Sequence, residues 1–160
     1  GWIEDSQVFC GDATSSSVVN RKLIPLEENA PGDRVIVIPV SQSEALVVES
    51  RRPTGLSKSW PSTMSGLFVY RVNTSLVTDR SSEFTNSKLD SGNNPKFPKW
   101  AFYLPADQRP IDATIPTAKV DPEKFYQEWL IREGESVTSD GIRIHFVKSS
   151  NADWVKVSKV

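Results

Sequence analysis

The residues of this chain best placed to do chemistry crowd into the stretch EALVVESRRP, from Glu44 to Pro53. A carboxylate and two guanidiniums, Glu49, Arg51 and Arg52, follow an apolar run with no turn residue between. Three readings are open: a catalytic carboxylate, an ion pair that locks one strand to the next, or a strand end that leaves the core for solvent. Side chains alternate along a strand, so Ala45, Val47, Glu49 and Arg51 share one face and Leu46, Val48, Ser50 and Arg52 the other. An unpaired carboxylate beside Val47 would be costly, whereas a hydrogen-bonded pair is tolerated and specifies register. Arg71, in the following apolar segment LFVYRV, is the expected partner of Glu49 in a structural ion pair.

The remaining chemistry is sparse. A zinc site of the H-E-x-x-H kind needs two histidines on one helix, and this chain has one histidine. That residue, His145, alternates with Ile142, Ile144 and Phe146 in GIRIHFV and shares the face of Arg143, which reads as a solvated strand position. There is no G-x-S-x-G elbow and no phosphate-binding glycine loop. The lone Cys10 has no partner for an internal disulfide and reads as a small buried hydrophobe. The segment LDSGNNP offers Asp90, Asn93 and Asn94 as calcium candidates, but its spacing departs from an EF-hand and the same residues make an ordinary turn. Of five tryptophans, Trp60 and Trp100 are the candidates for an exposed carbohydrate-binding surface, against the commoner role of packing in a core or at its rim. Asn73-Thr74-Ser75 fits a glycosylation sequon. No catalytic constellation emerges, so the chain reads as a non-enzyme without a cofactor, with calcium the one ion to consider.

Size and composition set the frame. A chain of 160 residues fits one domain and can bury about two-thirds of its unfolded surface, so it needs no staples. Lys and Arg number 19 against 20 Asp and Glu, a net charge of −1 that leaves no overall footprint for nucleic acid or an anionic membrane. No apolar run approaches the roughly 20 residues of a spanning helix, so membrane insertion is not expected. The opening GWIEDSQVF, without an initiator Met or a signal peptide, reads as the start of a fragment or processed product.

Strand signals dominate the elements that must position these residues. QVFC, VVNRKL, DRVIVIPV and EALVVES are β-branched or apolar runs bounded by turn clusters such as APGD and SQSE. LFVYRV is apolar on both faces at its start, as a central strand would be. A polar stretch over about 79–99 reads as a long surface loop, and WAFYLP follows as a short aromatic strand. DPEKFYQEWLIREG changes period: Asp121 and Pro122 suit a helix start and Gly134 a helix end, predicting one short helix over about 122–132. ESVTSDGIRIHFV is a hairpin around Asp140-Gly141, and ADWVKVSKV supplies a last strand with Trp154 set apart from Val155 and Val157 by parity. Many short strands and one helix predict a mainly β fold, an antiparallel, jelly-roll-like β-sandwich forming a single domain over 1–160.

The order of these motifs resembles the β-rich domain that follows the catalytic domain in secreted zinc metallopeptidases of the immune inhibitor A type. Gly1-Trp2-Ile3 is similar to the segment leaving the peptidase, Glu49-Ser50-Arg51 to a strand ending in Glu-x-Arg, and Gly66 to Val72 to a later Gly-hydrophobic-Tyr-x-Val strand. The middle, from about Thr78 to Ile131, departs from that pattern. The resemblance implies a secreted, non-catalytic accessory domain that packs against an upstream peptidase through Trp2, Ile3 and Val8. It transfers no catalytic residue. A carbohydrate- or cell-surface-binding module is the alternative, and a hydrolase with a carboxylate pair is the third reading, for which no spacing nominates the pair.

Overall fold

A computed structural model describes residues 3–12, 18–73, 101–103 and 130–160. The protein is mainly β. Six strands form one sheet: β1 (Val8–Cys10), β3 (Val35–Pro39), β4 (Glu44–Arg51), β5 (Gly66–Asn73) and β6 (Ala101–Tyr103) in that order, with β7 (Leu130–Ile131) also pairing β5. Four form the other, in the order β2 (Val19–Leu23), β10 (Asp153–Lys159), β9 (Ile142–Ser149), β8 (Ser136–Ser139). All pairings are antiparallel except β1 against β3, which is parallel.

The local reasons are those of the sequence. The Val and Ile runs of β3 and β4 favour a pleated surface buried on both faces, and the polar link between them is organised by Ser41, whose Oγ accepts from the backbone N–H of Ser43 and Glu44 at 3.3 and 3.1 Å. Asp140 and Gly141 both have positive φ, 54° and 72°, the conformation that a two-residue hairpin turn demands. The chain threads between sheets early: β1 lies in the six-stranded sheet, β2 in the four-stranded one, and β3 returns beside β1.

The two sheets contribute to one apolar core. Ile36, Ile38, Leu46, Val48, Leu67, Val69 and Ile131 come from the first sheet, and Leu23, Val137, Ile142, Ile144, Phe146 and Val155 from the second. Alternation places Val155 inside while Trp154 stands outside, as its parity predicts.

Two expectations change. The helix over about 122–132 falls largely outside the described residues, but its last turn is not helical: Leu130 and Ile131 pair with Phe68 and Leu67 as strand β7. Both are buried, at consecutive positions that a strand directs to opposite faces. Gly134 ends no helix; it sits in the turn after β7 with φ 86°, its N–H donating to the Phe146 carbonyl at 2.8 Å. Helical content among the described residues is confined to two short 3-10 turns, Asp5–Gln7 and Gly55–Ser57. Cys10, expected to be buried, is exposed at the end of edge strand β1.

Candidate functional site

Register decides where Glu49 goes. It stands opposite Val35 on β3 and Phe68 on β5, on the outward face of the six-stranded sheet. Arg71 stands opposite Leu46, so it belongs to the inward-facing set. The expected Glu49–Arg71 pair is therefore not formed, because the two side chains leave opposite faces of the sheet. Arg71 instead reaches over the end of the core: its Nη2 donates to Glu44 at 2.6 Å and its Nη1 lies 3.2 Å from Asp140 in the β8–β9 turn of the other sheet. The hydrogen bond from Arg71 to Glu44, with help from the Asp140 charge, raises the guanidinium above its ordinary value.

Glu49 finds its cation two residues along its own strand, on the same face. Arg51 Nη1 donates to Glu49 Oε1 at 3.1 Å, and the Tyr70 hydroxyl donates to Oε2 at 3.2 Å. Arg51 is shared: its Nε lies 2.7 Å from Glu27 Oε1. Glu27 also accepts from Ser57 Oγ at 3.1 Å. The result is a Glu27–Arg51–Glu49 triad in which one guanidinium serves two carboxylates, with the Arg51 guanidinium 5.2 Å above the Trp60 ring. Burial raises the Glu49 carboxyl above its ordinary value; Arg51 and Tyr70 pull it back, and the Glu27 charge pushes it up again. Burial pulls Arg51 down, but the two carboxylates outweigh it and the guanidinium ends above its ordinary value.

The turn carrying Glu27 is held by a second buried arginine. Arg34 donates from Nη1 to the Pro25 and Leu26 carbonyls at 3.1 and 2.9 Å and from Nη2 to Ala30 at 3.2 Å. Gly55 packs so closely there that a Cβ would lie 2.6 Å from the Glu27 carbonyl oxygen, and its φ of 53° is one that a side chain resists.

A separate polar cluster joins the two sheets. Asp153, 1% exposed, accepts from Ser50 Oγ at 2.5 Å, Arg52 Nη2 at 2.6 Å and Ser149 Oγ at 2.9 Å. Ser50 is fully buried on β4, so this bond ties the centre of one sheet to the first residue of β10 in the other. Chemically, the first cluster pairs Arg51 with acids within β4 and in the neighbouring turn, and the second pairs Arg52 with an acid across the two sheets. Each carboxylate is engaged by donors that fix the fold around it.

The other sequence candidates distribute as follows. Ile3 and Val8 are half-buried on the β1 side. Trp60 is half-buried, with the Arg51 guanidinium 5.2 Å from its ring centroid. His145 is half-buried on the outward face of β9, across from Lys156 and Ser136, in line with its parity. Trp2, Trp100, Asp90, Asn93, Asn94 and the 79–99 stretch lie outside the described residues. Among the described residues no three His, Cys, Asp or Glu side chains gather as a metal site, and no helix there is long and apolar enough to cross a membrane.

Glu27, Arg34 and Asp153 were not singled out in the sequence. Asp153 carried a signal, being in phase with Val155 and Val157 on the core face. Arg34 and Glu27 carried none, since both depend on how the 25–30 turn folds back. Comparison with protein-family models, curated proteins and solved structures finds no match.

Proposed function

We propose that this chain is a non-catalytic accessory module of a secreted, metallopeptidase-like protein, its two sheets forming a jelly-roll-like β-sandwich whose N-terminal edge packs against a peptidase domain. The observation that carries this reading is an apolar cleft at the β1–β2 edge, where the inter-sheet core opens between Phe9, Val19, Ile36, Ile38, Ile142 and Val157. Phe9 turns from β1 into this cleft, while Val8, paired with Val35 and half-buried, extends the same edge strand on the outward face of the sheet, and Ile3 precedes it, half-buried as well. An edge of this kind gains free energy when another apolar surface covers it, at about 25 cal/mol per Å². The motif order set out above supplies the identity of the covering partner.

The experiment compares the isolated chain with a longer one that includes an upstream H-E-x-x-H segment. The isolated chain should bind a hydrophobic dye, Ile3→Ser and Val8→Ser should weaken that signal, and the longer chain should suppress it. A chain that binds no dye, or that turns over a peptide or glycan after metal stripping, overturns the reading.

A further inference from the structure

The outward face of the four-stranded sheet carries charge of one sign. Reading across the strands, Lys22 on β2, Trp154 on β10 and Lys148 on β9 stand side by side. The next outward row is Asn20, Lys156, His145 and Ser136, and the one beyond it holds Ser158, Arg143 and Thr138. Three lysines and an arginine thus occupy one sheet face, and no Asp or Glu occupies any outward position on these strands. Lys22, Arg143, Lys148 and Lys156 are all exposed, and none enters an ion pair among the described residues. The acids at the margin, Glu133 and Glu135, belong to the turn before β8 and accept from the backbone N–H of Ser149 and Arg132. The overall charge of −1 averages this face away.

A bulge sharpens it. The β9–β10 register runs from Trp154↔Lys148 directly to Val155↔Phe146, so β9 carries one extra residue, Val147. Such a bulge re-aims side chains: Val147 is 44% exposed and Trp154 43%, and Lys148, which strict alternation would turn inward, is exposed too. Two of the four exposed large hydrophobic side chains among the described residues, Val147 and Trp154, therefore fall on the strands that carry Lys148 and Lys156, with Lys22 opposite Trp154.

We propose that this face docks on the surface of an anionic phospholipid bilayer, with Trp154 and Val147 entering the headgroup layer and Lys22, Lys148, Lys156 and Arg143 meeting lipid phosphates and carboxylates. Indole rings favour that interfacial depth, and long cationic side chains reach charged headgroups while their stems lie against apolar material. The alternatives fit less well. A single-stranded nucleic acid is held by several stacked aromatics along a groove, and this face presents one tryptophan on an open sheet. An acidic glycan would use the lysines but leave Val147 without a role. The inference stands independently of the accessory-domain reading.

Co-sedimentation of the full 160-residue chain with vesicles tests it. Phosphatidylcholine vesicles carrying about one-third phosphatidylserine should bind the chain at low salt and release it as salt rises, while pure phosphatidylcholine should not bind. Each lysine is worth roughly five-fold in partitioning, so the Lys22→Gln/Lys148→Gln/Lys156→Gln variant should lose on the order of a hundred-fold. Trp154→Ala should lose on the order of ten-fold, Val147→Asn less, and Lys58→Gln, away from this face, nothing. Far-UV circular dichroism and urea midpoints confirm that each variant is folded. No binding to anionic vesicles at low salt, a triple variant that binds like the wild type, or tighter capture by heparin or a single-stranded oligonucleotide than by vesicles would each sink the proposal.

Discussion

Replacing Asp153 by alanine tests how the two sheets are joined. The change leaves the Ser50 hydroxyl, fully buried, without its 2.5 Å acceptor. A buried polar group left unmatched costs about 1–3 kcal/mol. It also strips Arg52 of its 2.6 Å carboxylate. Breaking a buried pair costs about 3–5 kcal/mol, but the Arg52 side chain is 17% exposed and keeps Glu28 at 3.8 Å, which places its share at the low end. The two losses overlap, so the expected destabilisation is about 3 kcal/mol, a large part of the 5–15 kcal/mol typical of a domain. With a urea slope of about 2 kcal/mol per molar, the unfolding midpoint should fall by about 1.5 M. The diagnostic is a double-mutant cycle. Ser50→Ala added to Asp153→Ala removes the orphaned hydroxyl and should recover about 1 kcal/mol, giving a coupling energy of about 1–2 kcal/mol. If the two single costs simply add, the Ser50–Asp153 bond does not tie the sheets and the reasoning fails.

The Glu49 carboxyl is raised from its ordinary value of 4.5, so the folded state holds this proton more tightly than the unfolded one. Stability from Glu49 is complete below 4.5 and is lost as pH climbs through the raised value, so wild type should weaken relative to Glu49→Gln across that window in urea titrations at stepped pH. Gly55→Ala should cost about 2 kcal/mol and lower the calorimetric Tm by roughly 6 °C, because it adds both left-handed strain and a clash with the Glu27 carbonyl. Arg71→Met should cost only about 1 kcal/mol, diminishing with salt, since Glu44 and Asp140 are both partly solvated. Its effect should be additive with that of Glu49→Gln to within about 0.5 kcal/mol, and a larger coupling would restore the cross-strand pair that the register denies.

Periodicity made most strands legible. The Val-Ile run of β3, the alternation of β10 and the Asp140-Gly141 turn each encode their geometry locally, in β-branched packing and in residues that tolerate positive φ. Glu49 was recognisable as a buried acid needing a cation, but the choice of Arg71 failed, because partnership across strands follows register, and a shift of one position exchanges faces. Arg51 lies two residues away on the same face, so the correct partner was available from parity alone. Leu130 and Ile131 misled for a different reason: Asp121-Pro122 and Gly134 frame their segment as a helix, and only contact with Phe68 and Leu67, far off in sequence, settles the conformation. The Glu27 turn was illegible because Arg34 builds it from three backbone carbonyls, a pattern with no side-chain signature.

The placement of β10 bears on how the molecule is made. It lies between β2 and β9, pairing Leu23 with Asp153 and Val19 with Val157. On a ribosome, β2 emerges early and then waits, one edge unsatisfied, until β10 has been translated more than a hundred residues later. Closure across so long a loop is slow. A nascent chain halted before residue 153 should leave β2 without its β10 partner, exposed to strand exchange with other nascent copies, and the four-stranded sheet should close only once β10 has emerged.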